Sequence, residues 1–218
     1  MVSIDTVYQK VLTFANKEQR GYITPQEFNM FADQAQKEIF EQYFYDLNQF
    51  SRVPENLNEY SNTVDNINEK IAVFETTGIG TTLASDLYRL GTVIHNGREV
   101  EEVQPNELLY MNSSAILKPK NIRRVYVRKG NTIEITPASS SVEYTYIKLP
   151  EKPAWGYVVV LGKAMYDSTY TVDFQLHPAE ETELVYKILK YAGLSMKRDD
   201  IAQGGQGLES LLTQQEKQ

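Results

Sequence analysis

The most chemically suggestive motif in this 218-residue sequence runs from Asn16 to Glu27, where the spacing approaches that of a calcium-binding EF-hand loop. Such a loop needs oxygen ligands at its first, third and fifth positions, glycine at the sixth, an aliphatic residue at the eighth and glutamate at the twelfth. Asn16, Glu18, Arg20, Gly21, Ile23 and Glu27 occupy those places. Arg20 sets a cation where a ligand belongs, and Thr24-Pro25-Gln26-Glu27 reads better as a capping box with proline at the first helical position. Glu27 then serves a helix start, and no metal is expected. Phosphate loops are no better supported. Gly78-Ile79-Gly80 lacks the strand–helix setting of a dinucleotide fingerprint, and Gly204-Gly205-Gln206-Gly207 lacks the Lys-Ser/Thr of a P-loop. Both read as flexible joints.

General acid–base chemistry has few candidates. His95 sits on the shoulder of an Asn-Gly turn, where exposure is expected, and His177 precedes Pro178, where it suits a helix cap. Asp173, Glu180 and Glu181 are close enough in sequence for a carboxylate pair. A first helical turn, whose dipole favours negative charge, explains the glutamates equally well. Lys118, Lys120, Arg123, Arg124, Arg128 and Lys129 form the main basic concentration. Strand alternation spreads them over two faces, so they read as a solvated edge that discourages unwanted strand pairing.

Composition narrows the classes further. The chain has no cysteine, which excludes disulfides, thiolate metal sites and cysteine nucleophiles. With 22 basic and 29 acidic side chains the net charge is −7, the wrong sign for nonspecific duplex binding. No apolar run approaches the ~20 residues of a membrane span; the longest is Tyr157 to Leu161. A secretory leader is not expected at the N-terminus. The 15 tyrosines suit either a Tyr-rich sheet or surfaces covered by a partner.

The elements that must position these residues follow from periodicity. Ile4, Val7, Tyr8, Val11, Leu12 and Ala15 line one helix face. From the capping box, Phe28, Phe31, Ala35, Ile39, Tyr43, Leu47 and Phe50 mark a long second helix. A third starts near Pro54 and carries Leu57, Tyr60, Val64, Ile67, Ile71 and Phe74. Phe40, Phe44 and Tyr45 broaden the apolar surface of the second helix beyond half its circumference, so either its own domain or a neighbouring subunit must cover it. These three are the candidate subunit-interface residues. Hairpins follow: Tyr88 to Val103 around Asn96-Gly97, Val125 to Thr136 around Gly130, and Tyr157 to Tyr166 around Gly162. Val142, Tyr144 and Tyr146 mark a further strand. Pro178 opens a last helix with Leu184, Val185, Ile188, Leu189 and Ala192 inside and Gly193 as its C-cap. The expected fold is α+β: residues 1–76 give three N-terminal bundle helices, 77–175 an inserted antiparallel module, 176–198 the C-terminal bundle helix, and 199–218 a docking tail. Ile201, Leu208, Leu211 and Leu212 are the tail's candidate docking residues.

Several stretches also carry a resemblance. "MVSIDTVYQKVLTFANKEQRGYITPQEFNMFADQAQKEIFEQYFYDLNQF" resembles a recurrent N-terminus of structural proteins of tailed phages of marine podovirus and crAss-like type. "LYRLGTVIHNGREVEEV", "VYVRKGNTIEI" and "YTYIKLPEKPAWGYVVV" are similar to the central region of that group. "VDFQLHPAEETELVYKILKYAGLSMKRDD" is similar to its end. The resemblance implies a head-to-tail connector adaptor in the virion neck or tail, assembled in the host cytoplasm. It implies a homo-oligomeric ring, usually of twelve copies, bound to the portal protein and further tail proteins, with DNA passing through its channel. It implies neither cofactor nor catalysis nor membrane association. Two other readings are a scaffolding or fibre-attachment protein and a cell-wall-degrading virion enzyme using the Asp173–Glu181 carboxylates.

Overall fold

Thr24 begins the longest helix as its sequence requires. Its backbone N–H donates to Glu27 Oε2 at 3.0 Å, and Glu27 N–H returns a bond to Thr24 Oγ1 at 3.3 Å. The computed structural model describes residues 1–16, 23–51, 58–139, 141–195, 205–211 and 214. They form a mixed α+β protein that divides into two compact units: Met1–Val73 with Pro150–Gln218, and Phe74–Leu149.

The first unit holds α1 (Ile4–Asn16), α2 (Pro25–Ser51), α3 (Asn58–Ala72), β8 (Tyr157–Val160), β9 (Lys163–Tyr166) and α5 (Glu181–Ser195). α2 packs on both α3 and α5, and α1 packs on α5. Its core gathers Ile4, Val7 and Val11 of α1, Phe28, Ile39 and Phe40 of α2, and Leu184 and Ile188 of α5, all fully buried. Each such side chain contributes roughly 1.5–3 kcal/mol on leaving water. α5 continues through Gly193 to Ser195, so that glycine is not the C-cap the sequence suggested. The expected start of α3 near Pro54 and the residue Leu57 lie outside the described residues.

The sequence grouped residues 150–175 with the β module, but they belong to the helical unit. The reason is a buried amide. Gln36 of α2 donates through Nε2 to Glu151 O at 2.7 Å and accepts at Oε1 from Gln175 N at 3.0 Å. Val2 and Phe174 exchange backbone bonds at 3.2 and 3.1 Å, and Asp173 Oδ1 accepts from Ile4 N–H at the start of α1. An unpaired amide at that depth costs on the order of 1–3 kcal/mol, so these bonds fix the segment against α1 and α2.

The second unit holds β1 (Glu75–Ile79), β2 (Leu87–His95), β3 (Arg98–Glu99), β4 (Glu101–Glu102), α4 (Pro105–Ser113), β5 (Val125–Lys129), β6 (Thr132–Thr136) and β7 (Glu143–Lys148). One sheet runs β1-β7-β2-β3 and another β4-β5-β6, with β4 parallel to β5. Asn96 and Gly97 take φ of 49° and 70°, the left-handed pair that a two-residue hairpin turn requires. Val93, Tyr126, Ile133, Val142, Tyr144 and Tyr146 share one buried cluster. Two elements went unread in the sequence. Gly78 is not a flexible joint: it lies in β1 opposite Tyr144, whose ring occupies the space a Cβ would take. Helix α4 buries no residue fully, resting only half-buried Leu108 and Met111 on Val103, Val125 and Val127. No described helix is long and apolar enough to cross a membrane.

Candidate functional site

Trp155, the single tryptophan, anchors the most exposed apolar feature of the helical unit. Its Nε1 donates to Asp5 Oδ1 at 2.8 Å, and its backbone N–H donates to Asn29 Oδ1 at 2.8 Å. Its ring lies 4.4 Å from Tyr8, and Tyr157 and Tyr166 pack on it at 5.8 Å each. Gly156 follows because there is no room for more: a Cβ would stand 2.6 Å from Asp167 O and 2.7 Å from Thr171 N. From this fixed base β8 and β9 rise as a two-stranded hairpin, with Tyr157 opposite Tyr166 and Val160 opposite Lys163.

The tip of that hairpin has no internal use. Val158, Val159, Val160 and Met165 are exposed, and Leu161 is 99% exposed. Leu161 also holds φ of 51°, a left-handed conformation in which Asn, Asp or Gly serve better than a leucine. The equivalent turn of the β2–β3 hairpin uses Asn and Gly for the same geometry. An apolar side chain at a backbone position that disfavours it, held wholly in water, adds nothing to the core of its own unit. The sequence carried this signal: Tyr157 to Leu161 is apolar without alternation, and a lone hairpin gives such a run no second face to bury.

A second apolar surface lies on the β unit, where Leu109, Tyr110, Ile116, Leu117 and Ile122 are all exposed. On the helical unit, residues 205–211 form a helical stretch held to α5 by charge. Lys187, only 1% exposed, meets Glu209 at 2.6 Å, Glu38 at 3.2 Å and Glu183 at 3.4 Å. Burial lowers the affinity of that amine for its proton, but the bond to Glu209 and the three carboxylates outweigh it and hold the group protonated well above its usual range. Burial likewise pushes the Glu38 carboxyl up. The hydrogen bond from Tyr191 and the charge of Lys187 prevail, leaving it below the ordinary value. Burial and Glu38 together push the Tyr191 hydroxyl up to about 12.

The residues singled out from sequence fare unequally. Phe40 and Phe44 are buried, their rings edge-to-face at 5.1 Å, so they are core and not subunit interface. Packing of α2 on α3 and α5 consumes the surplus apolar face. Tyr45 stays outside, 66% exposed. Leu208 and Leu211 are exposed at 44% and 58%, while Ile201 and Leu212 lie outside the described residues. The tail is not simply a free arm, because Glu209 binds it to its own α5.

His95 is buried against Ser141 O and not exposed as its turn suggested. His177 caps the turn after it, accepting from Ala179 N at 3.3 Å. The three carboxylates do not face one another as a pair: Asp173 holds the start of α1, Glu181 pairs with Lys10, and buried Glu180 pairs with Lys70 at 2.7 Å. The basic concentration is largely engaged at home. Arg123 pairs with Glu101, Lys129 with Glu134, and Arg124 donates to the Pro137 and Ala138 carbonyls. Among the described residues no three His, Asp or Glu side chains converge as a metal site. The EF-hand-like segment lies partly outside the described residues, and its Glu27 is engaged by Thr24. No protein-family model matches the chain, and no curated protein matches it.

Proposed function

We propose that this chain is a ring-forming subunit of a tailed-phage head-to-tail connector, joining the portal to the tail around the DNA channel by contact alone. In that reading the three N-terminal helices and α5 make the bundle of an adaptor, and the antiparallel module is an insertion within it. The observation that carries the proposal is Leu161, fully exposed at a left-handed position on a hairpin whose base is locked by Trp155. A rigid support with an apolar, solvent-facing tip is what a contact surface needs, since little conformational freedom is lost when it docks. The resemblance to phage structural proteins along most of the sequence supplies the partner class.

The test is reconstitution with portal protein. The purified chain is expected to add to the portal as a ring, twelve copies per portal, resolved by electron microscopy. Truncation before Asp199 is expected to leave a folded protein that no longer joins the portal. Failure of the full chain to bind portal or DNA-filled heads would overturn the connector reading. So would turnover of cell-wall material abolished by Glu180→Gln or Glu181→Gln.

A further inference from the structure

We propose that the β8–β9 tip of one copy inserts into the groove between α1 and α5 of the next, making the lateral contact of the ring; this rests on the connector reading. The groove is lined by Phe14, Val185 and Tyr186, by the methyl-bearing Thr6 and Thr182, and by Asp5, and encloses about 620 Å³. That volume is within the range that admits several side chains. Phe14 is 51% exposed on its wall, an aromatic surface that the described residues cover only in part.

Three observations select a second copy as the occupant. The first is area. Val158, Val159, Val160, Leu161, Met165 and Tyr166 are between 46% and 99% exposed. With one aromatic and five smaller aliphatic or thioether side chains they present on the order of 500 Å², more than half of the roughly 800 Å² per partner of a stable interface. The second is charge. Lys163 beside the tip has no ion-pair partner among the described residues, while the groove lining holds one base, Lys10, already paired with Glu181 outside the lining, and one acid, Asp5, with one oxygen bound to Trp155. The lone cation of the tip can thus face Asp5, the one carboxylate that lines the groove. The third is symmetry. Protrusion and groove are different patches of one unit, so their contact is head-to-tail, the kind that propagates around a ring and cannot close in a two-fold dimer.

The absence of native cysteine makes the contact directly testable. The Leu161→Cys/Thr182→Cys double variant, treated with a short bismaleimide, is expected to give a ladder of dimers, trimers and larger species, and each single variant only monomer. Leu161→Asp keeps a residue tolerant of the left-handed turn and is expected to raise the concentration for self-association at least tenfold. Phe14→Asp should do the same from the groove side. Mixed together, these two variants should form a one-to-one pair and nothing larger, because only one intact tip–groove contact remains. Cross-linked dimers from Leu161→Cys alone would overturn the proposal in favour of tip against tip. Absence of the ladder while the unaltered chain sediments as an oligomer would overturn this interface and leave the ring reading standing. Absence of both ladder and oligomer, in the free chain and on the portal alike, would overturn the lateral contact, while failure to bind the portal at all would overturn the connector reading itself.

Discussion

Replacing Lys187 by methionine shortens the side chain by one atom and removes its charge. Three carboxylates would then remain around an apolar atom, at positions now 2.6, 3.2 and 3.4 Å from the ammonium. Removing one partner of a fully buried ion pair costs roughly 3–5 kcal/mol. Here the Glu38, Glu183 and Glu209 side chains retain 34%, 14% and 15% of their exposure, so water relieves part of the repulsion. About 3 kcal/mol is expected, a fall in Tm of roughly 6–12 °C for a protein of this size. Urea unfolding followed by circular dichroism and by Trp155 fluorescence would measure it. Glu209→Gln leaves Lys187 two carboxylates and should cost only about 1 kcal/mol. The double variant should cost less than the sum, since one carboxylate fewer is stranded. Amide exchange over residues 205–211 should quicken at least tenfold in Lys187→Met. A Lys187→Met protein within about 0.5 kcal/mol of the unaltered chain would refute the view that this lysine fastens the C-terminal stretch to α5.

Acid should loosen the same place: Glu38 is held below its ordinary value of 4.5, so its contribution is complete above that pH and is lost as pH falls through the lowered value. Unfolding free energy measured between pH 7 and 3 should therefore drop on the acid side, and less so in Glu38→Gln. Gly156→Ala should destabilise the helical unit by about 2 kcal/mol or more, because the new methyl meets backbone atoms of Asp167 and Thr171 that have nowhere to move; circular dichroism in urea reads this directly. Trp155→Phe removes the bond to the Asp5 carboxylate and should cost about 2 kcal/mol, measured the same way.

Local rules were legible in the sequence wherever one short segment decides the outcome. The Thr24–Glu27 cap, the Asn96-Gly97 turn and the inward Tyr144 and Tyr146 are settled by neighbours a few residues away. What periodicity does not carry is which unit a segment joins. Residues 150–175 show turns and a hairpin, yet the Gln36 amide, contributed by a helix more than a hundred residues earlier, assigns them to the helices. α4 escaped notice because it buries only Leu108 and Met111, partially, and so shows no apolar stripe. For the contact surfaces, the breadth of the apolar face of α2 singled out Phe40 and Phe44, which are inside, together with Tyr45, which is outside, and it passed over the aliphatic run ending in Leu161, which is outside too.

The stretch from Phe74 to Leu149 leaves the helical unit and returns to it through strands that are hydrogen-bonded partners, β1 against β7, with Lys148 N–H on Phe74 O at 3.0 Å. The chain that must come back for α5 to find α1 and α2 is therefore gathered at its neck by its own sheet. Once that sheet forms, the entropic penalty of bridging from α3 to Pro150 shrinks from that of a long loose coil to that of a short clasp. Folding of the insert first would thus speed assembly of the helices, and the neck marks where this stretch can be excised and replaced by a tight turn without dismantling the rest.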